Sequence, residues 1–125
     1  MSEVSFHISR NDPADFRAKV ICNNEIIGKV NIRRNSDKGF YEDWYDLSAT
    51  VNDVYLEETL MLCLEQAFEE MGAASVHAVC ESFRESIVNA FYHTGFVLES
   101  EEHHISRFVI TEKQYYRDQS DPRSK

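Results

Sequence analysis

The stretch Arg84-Glu-Ser-Ile-Val-Asn-Ala-Phe-Tyr-His-Thr-Gly-Phe96 decides the fold. Ile87, Val88, Ala90 and Phe91 recur at spacings of three and four, so they make one apolar face of a helix. Gly95 then supplies the left-handed geometry that closes a helix and that other residues adopt only at a cost. Phe96, Val97 and Leu98 continue as a short apolar strand. The segment therefore reads as a helix over residues 83–94, stopped by a glycine and followed at once by a strand.

Working towards the N-terminus, Val76, Ala78 and Cys80 alternate with polar positions and predict a strand over 75–80. Leu56, Leu60, Cys63, Leu64, Ala67, Phe68 and Met71 form the stripe of a helix over 56–71, with Asn52 or Asp53 to cap it and Gly72 to end it. Tyr45, Leu47, Ala49 and Val51 share one side of a strand over 45–51, opposite Asp46, Ser48 and Thr50. Residues 33–39 are polar and read as a loop. Asn23-Asn24 reads as a two-residue hairpin turn between strands at 16–22 and 26–32, because asparagine tolerates positive φ. A first strand over 4–8 is expected to break at Asn11-Asp12-Pro13. Towards the C-terminus, 99–103 reads as a turn, 105–111 as the last strand, and the chain from Glu112 as a frayed end. The expectation is one domain over residues 1–112 and a flexible tail over 113–125.

The 125 residues suffice for one core, and 42% of them are hydrophobic, with eight phenylalanines, six tyrosines and a tryptophan. No apolar run approaches the roughly 20 residues that span a bilayer, and Met1–Arg10 is too polar for a signal peptide. Cys22, Cys63 and Cys80 lack metal-ligand spacing and sit in apolar patterns, so they read as reduced core residues of a cytoplasmic protein. His103-His104 would point to opposite faces of a strand, and no metal is expected. No Walker loop, nucleotide fingerprint or serine elbow is present.

The net charge of −9 is uneven. Residues 41–102 hold fourteen acids and a single base, Arg84, whereas the two flanking segments are each slightly basic. Such a middle disfavours direct nucleic-acid binding. Glu57, Glu58, Glu65, Glu69 and Glu70 are either solvated glutamates or a docking face for a basic protein partner.

The Asn-Ala-Phe-Tyr-x-x-Gly-Phe pattern at Asn89–Phe96 resembles the C-terminal signature of the GNAT acetyltransferase superfamily. The hairpin Val20-Ile-Cys-Asn-Asn-Glu-Ile-Ile-Gly-Lys-Val30, with its strand glycine Gly28, resembles that superfamily's second and third strands. The likeness covers about residues 16–111. It implies an α+β fold with a GNAT-like mixed, mainly antiparallel sheet of six to seven strands and two main helices. The helices that the superfamily places between its first two strands have no room here. One sheet face, bearing Ser5, His7, Arg17, Lys19, Lys29, Asn31, Arg33, Asp46, Ser48, Thr50 and His77, is therefore expected to be solvated, or a recognition or homodimer surface.

The resemblance also implies a site. Acetyl-CoA would lie against Ala49, Val51, Val54, Tyr55, Leu56, Glu57 and Asn89, with its pyrophosphate on the loop after the fourth strand. In this chain that loop, Asn52-Asp-Val-Tyr-Leu-Glu-Glu-Thr59, has no glycine and no base. Two unit charges about 5 Å apart repel by roughly 3 kcal/mol at an effective dielectric of about 20, so Asp53, Glu57 and Glu58 oppose a pyrophosphate there. The thiolate-protonating tyrosine of the superfamily commonly lies four residues before the motif glycine, where this chain has Phe91, and Tyr92 is one position later. One residue is about 100° of helix rotation. Glu42, Asp43, Asp46 and His77 are the candidate bases. The expectation is a protein-binding regulator or inhibitor without catalysis and without a cofactor. The alternative is an acetyl-CoA-dependent N-acetyltransferase of a protein or small-molecule amine, using Tyr92, Asp46 and His77.

Overall fold

A computed structural model describes residues 3–35 and 43–120, with side chains to residue 117. The chain order is β1 (Val4–Asp12), β2 (Asp15–Cys22), β3 (Glu25–Arg34), β4 (Trp44–Val51), α1 (Leu56–Glu65), β5 (Ser75–Glu81), α2 (Glu85–His93), β6 (Val97–Glu102), β7 (Ile105–Thr111) and α3 (Glu112–Ser120). The strands form a seven-stranded sheet in the order β1-β2-β3-β4-β5-β7-β6. Among the described residues only the β4–β5 pairing is parallel.

Local chemistry explains the turns. Asn23 and Asn24 both take positive φ, at 53° and 66°, and close the β2–β3 hairpin. Gly95, at φ 104°, ends α2. The Phe96 N–H bonds to the Phe91 carbonyl at 3.0 Å and the Gly95 N–H to the Tyr92 carbonyl at 3.1 Å. The rings of Phe91 and Phe96 meet edge-on at 5.1 Å across this cap, completing a Schellman motif. Gly28 serves a different need: a Cβ there would stand 2.9 Å from the Val51 Cα, so only glycine lets β3 lie this close to β4.

Alternation then sorts the sheet into two faces. Phe16, Ala18, Val20, Val30, Ile32, Tyr45, Leu47, Val76, Ala78, Phe108 and Ile110 point to a single core. The helices close that core with Leu56, Leu60, Cys63, Leu64, Ala67 and Phe68, with Ala90 and Phe91, and with Tyr115. On the other face Arg17, Lys19, Lys29, Asp46, Ser48 and Thr50 are exposed. No described element covers them.

Four expectations are corrected. The first strand continues through Asp12, and the turn falls at Pro13-Ala14, where Asp12 Oδ1 accepts the Ala14 N–H at 2.9 Å. Residues 99–102 extend β6 instead of turning, and His103-His104 form the turn, at φ 50° and 66°. The chain after Glu112 is not frayed up to Ser120: α3 buries Tyr115 against Phe68 at 4.9 Å. The helix expected to run evenly to Met71 changes at Gln66 into a π turn, Gln66–Glu70, before Gly72 ends it at φ 73°.

Candidate functional site

β4 and β5 pair only through Trp44–Ser75, Tyr45–Val76 and Asp46–His77. Beyond that point the strands diverge, because β4 continues along β3 to Val51 while β5 follows β7 to Glu81. The divergence leaves a cleft of about 380 Å³, lined by Ala49, Val51, Leu56, Cys80, Ile87 and Phe91 among others. Leu56, Leu60, Ile87 and Phe91 make its helix-side wall mainly apolar, and Arg84 and Glu81, 3.9 Å apart, join the lining at the start of α2. Burial pushes the Cys80 thiol up, which keeps it protonated and unreactive at neutral pH.

The start of α1 lies at one edge of this cleft. Asn52 Oδ1 accepts the Val54 N–H at 3.0 Å, capping a 3-10 turn at Asp53–Tyr55. Two side chains then reach across to α2. Ser86 Oγ donates to Asp53 Oδ2 at 2.5 Å, and Glu57 Oε2 meets His93 Nδ1 at 3.2 Å. The seam between α1 and α2 is thus bridged near both ends by carboxylates.

Of the residues implied for acetyl-CoA, the cleft gathers Ala49, Val51 and Leu56. Val54 is 81% exposed, Tyr55 is half-buried and Glu57 belongs to the seam. Asn89 is exposed and lies off the cleft lining. At the position where the resemblance would place a thiolate-protonating tyrosine, Phe91 is buried and faces the cleft, its ring stacked on Phe108 at 4.9 Å. Tyr92 is 46% exposed, edge-on to Phe108 at 5.4 Å, and is not part of that lining.

Asp46 and His77 do come together, as register partners where β4 and β5 part. Trp44 stacks face to face on His77 with centroids 3.5 Å apart, and its Nε1–H donates to Asp46 Oδ1 at 3.0 Å. Asn35 Nδ2 donates to Asp46 Oδ2 at 2.8 Å. Ser75 Oγ lies 3.0 Å from His77 Nε2, and Glu99 Oε1 lies 3.8 Å from His77 Nδ1. Asn35, Trp44, Asp46, His77 and Glu99 border a cavity of about 500 Å³ on the sheet face away from the helices. Sequence reasoning missed Trp44, Asn35 and Glu99. Glu99 is the unpaired residue of a bulge between Leu98 and Ser100, which re-aims its side chain, and no local pattern signals that. Asp43 serves through its backbone, its carbonyl accepting the Ala74 and Ser75 N–H groups. Glu42 lies outside the described residues.

The five glutamates singled out for a partner are not one free face. Glu58 accepts the Val4 N–H at 3.0 Å, Glu69 accepts the Tyr115 hydroxyl at 2.5 Å, and Glu57 is held by His93. Glu65 and Glu70 are exposed. Among the described residues no three His, Cys, Asp or Glu side chains group as a metal site, and no helix is long and apolar enough to cross a membrane.

Neither a family model nor a curated protein matches this sequence. Solved structures do match in shape. A mutant form of the spermidine/spermine N-acetyltransferase SpeG of Vibrio cholerae superposes with TM-score 0.74 at 14% identity, over 88% of this chain and 72% of that one. The N-acetyltransferase PseH of Campylobacter jejuni gives 0.66 at 10%, over 80% and 70%. A GNAT-family acetyltransferase of Bacillus anthracis gives 0.65 at 18%, over 78% and 66%. At these identities the likeness speaks for the backbone alone: the chain has a GNAT-like α+β fold, with a mixed and mainly antiparallel sheet.

Proposed function

We propose that this protein is a GNAT-fold binding protein without acetyl-CoA-dependent catalysis, and that it presents exposed acids of its helical side to a basic protein partner. PseH has been solved with acetyl coenzyme A and SpeG with CoA and spermine, so the scaffold itself is compatible with the cofactor. The observation that carries the reading is the α1–α2 seam. Where a pyrophosphate would need backbone N–H groups and positive charge, this chain has Asn52 already occupying the Val54 N–H and the carboxylates of Asp53 and Glu57 tied to α2. Phe91 at the acid position agrees with it, since a phenyl ring cannot protonate a thiolate.

The test is thiol release from acetyl-CoA in the presence of an amine panel that includes spermidine and a lysine peptide. Release at the protein-free rate is expected. Turnover that falls at least tenfold in Asp46→Asn or His77→Ala would overturn the reading. For the partner, Glu65→Lys/Glu70→Lys should weaken capture of a lysine-rich peptide, while the fold survives because both residues are exposed and outside the internal bonds. Undiminished capture would remove the acidic side from the account.

The N-acetyltransferase reading is favoured by a separate observation: the strands still part, and Asp46 and His77 stand together at the point of parting. On that reading Asp46 and His77 would take the proton of an incoming amine, and Tyr92 would have to swing from Phe108 into the cleft.

A further inference from the structure

The sheet face opposite the helices carries a cationic groove that shares only Ser48 with the lining of the cleft and no residue with the α1–α2 seam. Strand register lays two rows of side chains across it. One row runs Arg10, Arg17, Asn31, Ser48, and the next runs His7, Lys19, Lys29, Thr50. A groove of about 460 Å³ lies along them, lined by Arg17, Lys19, Lys29, Asn31, Ser48 and Thr50 among others.

The rows differ in how their charge is balanced. Arg10 and Arg17 face each other, but Asp15 lies 3.6 Å from the first and 2.9 Å from the second, and Asp12 lies 3.8 Å from Arg10. The hydrogen bond from Arg17, helped by one from Asn31, holds the Asp15 carboxyl below the usual carboxylate range. Lys19 and Lys29 also face each other directly. Among the described residues neither has a carboxylate partner, in a chain whose net charge is −9. Like charges directly opposite on neighbouring strands are destabilising, so this pair works against the fold where the adjacent row does not.

We propose that the groove binds a small phosphorylated ligand, with a phosphomonoester dianion held between Lys19 and Lys29. Two ammonium groups match the two charges, and charge-assisted bonds to phosphate are among the strong ones. The hydroxyls of Ser48 and Thr50 sit beside the lysines as neutral donors, and the volume falls in the range of small-molecule sites. The two lysines that would hold the dianion are absent from the cleft lining, which the groove meets only at Ser48, so the site does not depend on the acetyl-CoA question.

The experiment is an amide NMR titration of the whole protein with inorganic phosphate at low ionic strength. Saturable shifts centred on Lys19, Lys29, Ser48 and Thr50 are expected. Lys19→Gln/Lys29→Gln should weaken binding by at least about tenfold, while Arg33→Gln, a cation on the same face, changes it less than twofold. Both lysines are exposed, so the variant should keep a dispersed spectrum. Absence of saturable shifts, or equal weakening in Arg33→Gln, would overturn the site. A hexaglutamate peptide binding ten times tighter than phosphate would make the occupant an acidic chain and overturn the ligand class. So would self-association that phosphate dissolves, which would point to a second copy's acidic helices.

Discussion

The cleft between β4 and β5 and the seam between α1 and α2 are neighbours made in opposite ways. The cleft is open and mainly apolar, with Arg84 and Glu81 in its lining, and its existence follows from backbone topology: one parallel pairing of three residue pairs, then divergence. The seam is polar and closed, and it follows from particular side chains, Asp53 with Ser86 and Glu57 with His93. On the proposed reading, the fold keeps the shape of a cofactor cleft while its side chains contradict the cofactor's charge. Shape is inherited with the sheet, and chemistry has to be supplied residue by residue.

The sharpest way to break the cleft side is Phe91→Ala. Phe91 is 6% exposed and packs on both Phe96 and Phe108, so the loss should be about 3–5 kcal/mol of stability by denaturant unfolding. A loss below about 1 kcal/mol would mean the ring does not fill the wall as described. Gly28→Ala attacks the same wall from behind, forcing β3 away from Thr50 and Val51, and should cost about 1–3 kcal/mol. The seam is probed by Asp53→Asn/Glu57→Gln, which removes two negative charges without changing shape. Saturable CoA binding, absent from the parent chain up to millimolar ligand, should appear in this variant, and its continued absence would show that the carboxylates are not what opposes phosphate.

The smallest effect concerns how α3 is fastened to the end of α1. Burial, together with the nearby Glu69, pushes the Tyr115 hydroxyl well above its ordinary value. The unfolded chain ionises this group near pH 10, while the folded chain holds it neutral. Unfolded molecules therefore bind fewer protons above about pH 10, and stability falls as pH rises through that range. Tyr115→Phe should flatten that part of the Tm–pH curve, and an unchanged curve would separate Tyr115 from the alkaline loss.

The fold was readable where neighbours in sequence decide the outcome. Asn23-Asn24 needs positive φ, Gly95 closes a helix, and alternation in β2 and β4 separates core from surface. Residues 99–102 misled because four consecutive polar residues look like a turn, yet pairing with β7 holds them extended at the sheet edge. α3 was invisible because its mean character is polar, and what holds it is distant in sequence: Tyr115 packs on Phe68, and the Tyr116 hydroxyl donates to the Phe68 carbonyl. The site was half legible. Asp46 and His77 could be placed on one face, but the Trp44 stack, the Glu99 bulge and the internal bonds of Glu58 and Glu69 join residues far apart in sequence.

The central claim, that the side chains of the seam refuse the cofactor which the cleft would fit, is tested most directly by calorimetric titration of the intact protein with CoA and acetyl-CoA. No saturable binding is expected up to millimolar ligand. Micromolar binding would contradict the claim, because it would mean that the Asn52–Glu57 segment holds a pyrophosphate despite its carboxylates.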